Sequence, residues 1–121
     1  MMHELSLISS VIDSLENLSR QERWGPLERV TLRVGAMRQV VPQIMEFAFK
    51  TASKGTLLEG AALRIETVPI VIRCRRCGRR WGEERMGFIC PACGAGDAEM
   101  ETGMELDIDS VEVNEDDAKK D

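Results

Sequence analysis

Cys74-Arg75-Arg76-Cys77 and Cys90-Pro91-Ala92-Cys93 are two C-x2-C motifs, separated by twelve residues. Two residues between cysteines let a tight turn direct both thiolates to one point, about 2.3 Å from a zinc ion. A glycine follows each motif, Gly78 and Gly94, where such a turn often needs a positive φ angle. The motifs therefore predict a structural zinc site. Its four thiolate ligands are Cys74, Cys77, Cys90 and Cys93.

Other chemistry is open to the same four cysteines. Two disulfides would suit an oxidising compartment, and a thioredoxin-like redox pair would need only one motif inside a βαβ frame. A rubredoxin-like site would hold iron on the same thiolates, and its red ferric form would distinguish it from colourless zinc protein. In a reducing cytosol, metal ligation is the more common use of such a pattern, so zinc is the preferred interpretation.

Composition places the chain among globular proteins. Its 121 residues can form about one domain, or a modest domain with a small appendage. No segment reaches the roughly 20 apolar residues that cross a bilayer, because Asp13 and Glu16 interrupt the first apolar run. The start also lacks the basic leader and cleavage site of a secretory signal. We therefore expect a cytoplasmic protein with no membrane contact.

Arginines crowd the segment around the cysteines. A basic zinc ribbon can bind nucleic acid, which gives a zinc-ribbon nucleic-acid-binding or transcription adaptor as the alternative function. The net charge of −5 and the absence of tyrosine argue against that use, since single strands are usually held on aromatic faces. The arginines would otherwise stabilise the −2 charge of a zinc tetrathiolate or meet an acidic partner protein. They are Arg73, Arg75, Arg76, Arg79, Arg80 and Arg85, against Glu83 and Glu84.

Two amphipathic helices are predicted. Apolar residues recur at three- and four-residue steps from Leu5 to Leu18, which indicates a helix of about four turns. A second helix follows Pro42, with Phe47 and Phe49 expected on its apolar side and Lys54-Gly55 as its end.

Three segments alternate as half-buried strands do. The first runs from Arg29 to Val34; the others cover 63–72 and 104–113, and each of these two shifts its apolar phase once, at Thr67-Val68 and near Ser110. Paired shifts suggest that these two strands are neighbours, with the zinc lobe inserted between them. The predicted fold class is α+β: two helices packed on a small three-stranded sheet, with an inserted zinc-ribbon-like domain.

His3 is the only histidine and lies near the amino terminus, followed by Glu4. A lone terminal histidine is often merely solvated. It can also join a terminal amine and nearby backbone amides in a planar nitrogen set, which favours Ni(II) or Cu(II).

With one histidine and all cysteines assigned to zinc, the usual nucleophile-base pairs cannot be assembled, and no phosphate-binding glycine motif occurs. We expect a protein that is not an enzyme.

Together these motifs resemble the HypA/HybF family of hydrogenase nickel-incorporation proteins over residues 2 to 113. The resemblance rests on the order of several features along the chain. They are Met2-His3-Glu4-Leu5, Val34-Gly35, Pro42 before Phe47-Ala48-Phe49, Gly55-Thr56, Glu59-Gly60-Ala61 and the two C-x2-C motifs.

The resemblance implies a nickel metallochaperone that delivers Ni(II) for maturation of [NiFe] hydrogenase, and in some relatives serves urease. It implies Ni(II) bound by His3 and Glu4 and structural Zn(II) on the four cysteines. The implied partners are a HypB-like GTPase and the hydrogenase large-subunit precursor, and relatives that exchange segments make a homodimer an expectation. The implied domains are a discontinuous nickel-binding α+β domain, 1–72 plus 104–121, and a zinc-binding domain, 73–103.

The start of the chain departs from the family pattern in one respect. The family begins Met-His-Glu, whereas Met1 here precedes Met2-His3-Glu4. Because Met2 is bulky, we expect Met1 to be retained. The amine of Met1, the amides of Met2 and His3 and the imidazole would then form a complete four-nitrogen chelate. If Met2 is the first residue, the family's own geometry applies.

Overall fold

The computed structural model describes residues 2–85 and 87–114, apart from the side chains of Met2 and Glu83. This part contains two α-helices, two short 3-10 turns and six strands. The six strands form two three-stranded sheets. In chain order the elements are α1 (Met2–Glu22), β1 (Leu27–Gly35), a 3-10 turn (Ala36–Arg38), α2 (Pro42–Ala52), β2 (Ala62–Val68), β3 (Val71–Cys74), β4 (Arg80–Trp81), a 3-10 turn (Glu83–Arg85), β5 (Ala98–Thr102) and β6 (Leu106–Val113).

The chain divides into two compact units. The helical unit comprises residues 1–32, 40–66 and 108–121, and the cysteine unit comprises 33–39 and 67–107. The domain bounds expected from the sequence stay a prediction. No helix in the described part is long and apolar enough to cross a membrane.

The helix α1 is longer at both ends than the predicted apolar stripe. Its inward face is fully or almost fully buried at Ile8, Val11, Ile12 and Leu15. The helix ends where Arg23 adopts a left-handed φ of 57°, and the Trp24 N–H donates to the Ser19 carbonyl at 2.9 Å. This is the bond pattern of a Schellman cap, which satisfies carbonyls left open at a helix end.

The helix α2 begins with Pro42 in its first turn and packs against α1. Met45, Ala48 and Phe49 form its buried face. The expectation that Phe47 shares this face is wrong, because Phe47 is 56% exposed. Residues two apart on a helix do not face the same side, so the helix can bury Phe49 or Phe47 but not both.

The first sheet has the order β2-β1-β6. The central strand β1 buries Val30, Thr31, Leu32 and Val34, an almost continuous run. Continuous burial is typical of a strand that is covered on both sides. The expectation that the strands before and after the zinc lobe pair directly is wrong, because β1 lies between β2 and β6.

The second sheet has the order β4-β3-β5, and β3 is antiparallel to both neighbours. The segment predicted as one strand over 63–72 divides in two: β2 ends at Val68, and β3 begins at Val71 in the other sheet. Pro69 lies at this break, where its missing N–H cannot join a ladder. The buried cluster of the cysteine unit consists of Ile70, Ile72, Cys74, Trp81 and Cys90.

Candidate functional site

The four cysteines of the two C-x2-C motifs converge, with their Sγ atoms all within 4.8 Å of one another. Cys74 and Cys93 are 3.7 Å apart at Sγ, and Cys77 and Cys90 are 3.5 Å apart. These distances exceed the roughly 2.05 Å of a disulfide bond, and all four thiols are free. A tetrahedron with metal–sulfur bonds of about 2.3 Å places its sulfurs about 3.8 Å apart. The cluster is therefore poised to hold a metal ion such as zinc.

Each motif folds into the same kind of turn. The Gly78 N–H donates to the Cys74 carbonyl, and the Gly94 N–H donates to the Cys90 carbonyl, both at 2.9 Å. Gly78 and Gly94 have φ angles of 82° and 74°, a region that L side chains rarely occupy. The prediction of positive φ at these two glycines is confirmed.

Backbone amides of these turns act on the thiols. The amide of Cys77 is the main cause that lowers the pKa of Cys74, and the amide of Cys93 is the main cause that lowers the pKa of Cys90 to about 6. For Cys93, a hydrogen bond from the Ala95 backbone lowers the pKa, but partial desolvation of the sulfur and hydrogen bonds with the neighbouring thiols outweigh it and raise the pKa to about 11. Four thiolates this close repel one another unless a cation compensates their charge, which is the chemistry that zinc supplies.

Exposure differs within each motif. The first cysteine of each pair is buried, Cys74 at 0% and Cys90 at 2% exposure, whereas the second of each pair, Cys77 and Cys93, is exposed. Beside the buried pair, the indole Nε1 of Trp81 donates to the Gly87 carbonyl at 3.0 Å. The inner half of the site therefore belongs to the core of the cysteine unit.

Three of the clustered arginines form an ion-pair ladder with strand β5 and with Asp97, the residue before it. Arg73 contacts Glu99 at 3.0 Å, and Arg75 contacts Asp97 at 2.9 Å and Glu99 at 3.3 Å. Arg80 pairs with Glu101 at 2.7 Å. This ladder gives these arginines a structural role that needs no nucleic acid. Sequence reasoning did not identify it, although the alternation of Asp97, Glu99 and Glu101 was a usable signal.

At the start of the chain, His3 and Glu4 lie in the first turn of α1. His3 is exposed, whereas Glu4 is 4% exposed and its Oε2 accepts a hydrogen bond from the Val41 N–H at 3.0 Å. That bond is the main cause that lowers the pKa of Glu4. Nothing in the sequence pattern indicated Val41 as the partner of Glu4. Met1 lies outside the described residues, as does the side chain of Met2.

The fold and the cysteine cluster define a small α+β protein with a zinc-ribbon-like metal site. A family model described as hydrogenase/urease nickel incorporation, metallochaperone, hypA matches residues 2–113. The hydrogenase maturation factor HypA of Moorella thermoacetica is 39% identical over 111 residues, which are 92% of this chain and 98% of that protein. The corresponding protein of Desulfosudis oleivorans is 36% identical over 115 residues, 94% of this chain and 100% of that protein.

Solved structures show the same fold. A solution structure of a HypA protein has a TM-score of 0.71 at 23% identity, and the match covers 94% of this chain and 98% of that chain. The solution structure of the Ni metallochaperone HypA from Helicobacter pylori has a TM-score of 0.67 at 22% identity, with 91% of this chain and 96% of that chain covered.

This chain belongs to the HypA family of nickel-incorporation metallochaperones. The predicted family, its function in nickel incorporation and the α+β fold class are confirmed. The family is one of maturation factors.

Proposed function

We propose that this protein binds Ni(II) through His3, Glu4 and the adjoining backbone of Met1 and Met2, and delivers the ion for maturation of [NiFe] hydrogenase. The observation that supports this assignment most is the contrast between the side chains of His3 and Glu4. The His3 imidazole is exposed, while the Glu4 carboxylate is held by the Val41 amide. An exposed donor beside a fixed carboxylate suits an ion that must be both bound and released.

The position of the motif at a helix start favours nickel chemistry. The first N–H groups of a helix have no acceptor within the helix, so deprotonation of the amides near His3 by the metal removes no N–H donor from the helical ladder. A planar chelate requires the backbone around Met2 and His3 to leave the helical conformation. The bond from Val41 to Glu4 holds the helix from Glu4 onward and confines that change to the first residues. Ni(II) suits such a planar nitrogen set.

We propose a structural Zn(II) on Cys74, Cys77, Cys90 and Cys93, within a zinc-binding domain of residues 73–103. The nickel-binding domain would then comprise 1–72 plus 104–121. The support is the convergence of the four sulfurs within 4.8 Å of one another and the glycine turns behind them. With four protein thiolates around it, the zinc would stabilise the cysteine unit and have no open position for catalysis.

The proposal extends to partners and location. The protein acts as a carrier and not as an enzyme, in the cytoplasm, and it self-associates as a homodimer. The sequence contains no phosphate-binding glycine motif, so a HypB-like GTPase would supply nucleotide hydrolysis. The acceptor would be the large-subunit precursor of the hydrogenase, and a urease would be a second destination.

A metal titration of His3 and Glu4 variants tests the nickel assignment. We expect the purified protein to hold about one zinc per chain and to bind nickel more weakly at a second site. His3→Ala should abolish nickel binding and leave zinc unchanged. Glu4→Gln keeps an oxygen acceptor for the Val41 amide, so it should weaken nickel binding with little change in melting temperature, whereas Glu4→Ala should lower both.

Two outcomes of the titration would contradict the assignment. Unchanged nickel binding in His3→Ala would place the nickel elsewhere, and parallel loss of zinc would show that the variant disturbs the whole fold. Titration of forms with and without Met1, each identified by intact mass, then shows whether the amine of Met1 or that of Met2 joins the imidazole.

A further inference from the structure

Strand β2 (Ala62–Val68) lies at the edge of the first sheet. Only β1 pairs with it, and no other strand of the described part covers its outer side. An edge strand presents unpaired N–H and C=O groups that can pair with another strand. The outer side of β2 is therefore a potential pairing surface.

The surroundings of β2 leave this edge accessible. Arg64, Glu66 and Thr67 are exposed. Beside the start of the strand is an open groove between α2 and β2, lined by Phe49, Lys50 and Leu63 among others. This groove is open space beside the first residues of the strand. Pro69, which has no N–H, limits such pairing to the strand itself.

The charges of β2 select one arrangement of two such strands. Within the described residues neither Arg64 nor Glu66 forms an ion pair. If two copies of β2 pair antiparallel with Ile65 opposite Ile65, Arg64 of each strand lies opposite Glu66 of the other. A shift of the antiparallel register by two residues would place either the two copies of Arg64 or the two copies of Glu66 opposite each other. Parallel pairing in register would create both of these like-charge pairs. Opposite charges across a strand pair stabilise it, whereas like charges destabilise it.

The other edge of the sheet lacks this self-complementarity. The exposed charged residues of β6 are Asp107, Asp109 and Glu112, all of them acidic. Any pairing of β6 with a second copy of itself would bring acidic side chains together. Charge therefore disfavours self-association at β6 and permits it at β2 in one register.

We infer that two copies of this protein associate through β2, antiparallel and with Ile65 on the two-fold axis, to form a continuous six-stranded sheet. In this arrangement Arg64 pairs with the partner's Glu66, and Glu66 pairs with the partner's Arg64. The inference rests on the homodimer in the proposed function and names its surface; it does not depend on nickel or zinc binding.

Charge reversal at β2, followed by sedimentation of zinc-loaded protein, tests the arrangement. Arg64→Glu and Glu66→Arg each replace two attractive pairs by two repulsive ones and should weaken dimerisation about tenfold or more. The double variant Arg64→Glu/Glu66→Arg restores opposite charges and should return the dimer constant to within about threefold of the unaltered protein. Asp109→Arg, on the other edge strand, is the matched control and should have no such effect.

Covalent trapping provides an independent measurement. In the inferred register the two copies of residue 65 face each other within disulfide range, so Ile65→Cys should form a covalent dimer under mild oxidation. Two copies of residue 67 would lie roughly 13 Å apart, so Thr67→Cys should not. The unaltered zinc-loaded protein gives the background from its own four cysteines.

The possible outcomes test the homodimer, its β2 surface and nickel binding separately. A protein that stays monomeric at all concentrations would overturn both the homodimer and this surface. A dimer that is insensitive to the charge reversals, or that the double variant fails to restore, would overturn the β2 surface and leave the homodimer. Nickel binding by the Arg64→Glu variant should be unaffected in either case, so failure here is separable from failure of the nickel proposal.

Discussion

Gly35, at the end of β1, has almost no room for a side chain. A Cβ built on Gly35 would lie 2.1 Å from both the carbonyl carbon and the oxygen of Gly103, and 2.4 Å from the Met104 nitrogen. Its φ of −66° and ψ of 140° are ordinary angles, so the restriction comes from space and not from backbone strain. The Gly35 N–H also donates to the Glu105 carbonyl at 2.8 Å. The backbone at Gly35 and the backbone at Gly103 are therefore so close that a side chain has no space at position 35.

Gly35→Ala should be strongly destabilising. Because the obstructing atoms are backbone, the clash cannot be relieved by a side-chain rotation, and we expect a loss of about 3 kcal/mol in the free energy of unfolding. Urea denaturation measures the change. Gly96→Ala is the control, since a Cβ there meets only Ile89 Cδ1 at 3.6 Å. Equal stability of the two variants would show that the backbones can separate.

Glu4 shows what residue patterns can and cannot indicate. His3 near the terminus left a solvated residue or a Ni(II) or Cu(II) ligand open, and only the family resemblance implied nickel on His3 and Glu4. The burial of Glu4 and its bond to Val41, 37 residues away in the chain, are tertiary facts that no local pattern contains. The four cysteines were predictable as a group because two residues between the cysteines of each pair allow a tight turn that directs both sulfurs to one metal ion.

Among the elements, the strands of the cysteine unit are joined by several ion pairs. Strand β5 contributes Glu99 and Glu101, which contact Arg73 of β3 at 3.0 and 3.5 Å. Hydrogen bonds from Arg73 and the charge of Arg75 lower the pKa of Glu99 below its usual value of 4.5. A carboxylate with a lowered pKa contributes stability at neutral pH, and this contribution is lost only as the pH falls through the lowered pKa.

Glu99→Gln should lower the melting temperature at neutral pH and low ionic strength. The difference from the unaltered protein should shrink in about 1 M salt, because the screening length then falls to roughly 3 Å. Calorimetry at two salt concentrations measures both differences. Glu28→Gln, at an exposed position on β1, should show neither. A difference that is independent of salt would mean that Glu99 acts through packing and not through charge.

The strands were predictable as segments but not in their pairing. Alternation placed strands within 29–34, 63–72 and 104–113, yet it did not reveal that the second divides at Pro69 between two sheets. Alternation reports which side of a strand is buried, whereas the neighbour of a strand depends on contacts between distant parts of the chain. The same limit hid the pairing of β5, because the register that places Glu99 opposite Arg73 of β3 is set by the fold.

For the molecule as a whole, zinc bound as proposed and hydrophobic packing would stabilise the cysteine unit together. Cys74 and Cys90 belong to the same buried cluster as Trp81. A cluster this small gains much of its folding free energy from metal binding. The helical unit has its own buried residues along α1 and α2 and should depend less on the metal.

Removal of zinc should therefore be visible at Trp81. In a Trp24→Phe background, chelation should shift Trp81 emission to longer wavelength, because this 6% exposed indole would enter water. The far-ultraviolet helical signal should change little, and added zinc should reverse the shift. Unchanged emission after the zinc has left would show that the cluster holds together without metal.

The uneven exposure of the cysteines has a kinetic consequence. Because Cys77 and Cys93 face solvent while Cys74 and Cys90 are buried, an incoming ligand can reach the metal from the outer side without opening the core. Zinc exchange would then be bimolecular, with a rate set by the concentration of the competing ligand and not by the unfolding rate. Tight binding and rapid exchange would thus be compatible in the proposed zinc site, and the lifetime of the bound ion would depend on which competing ligands surround the protein.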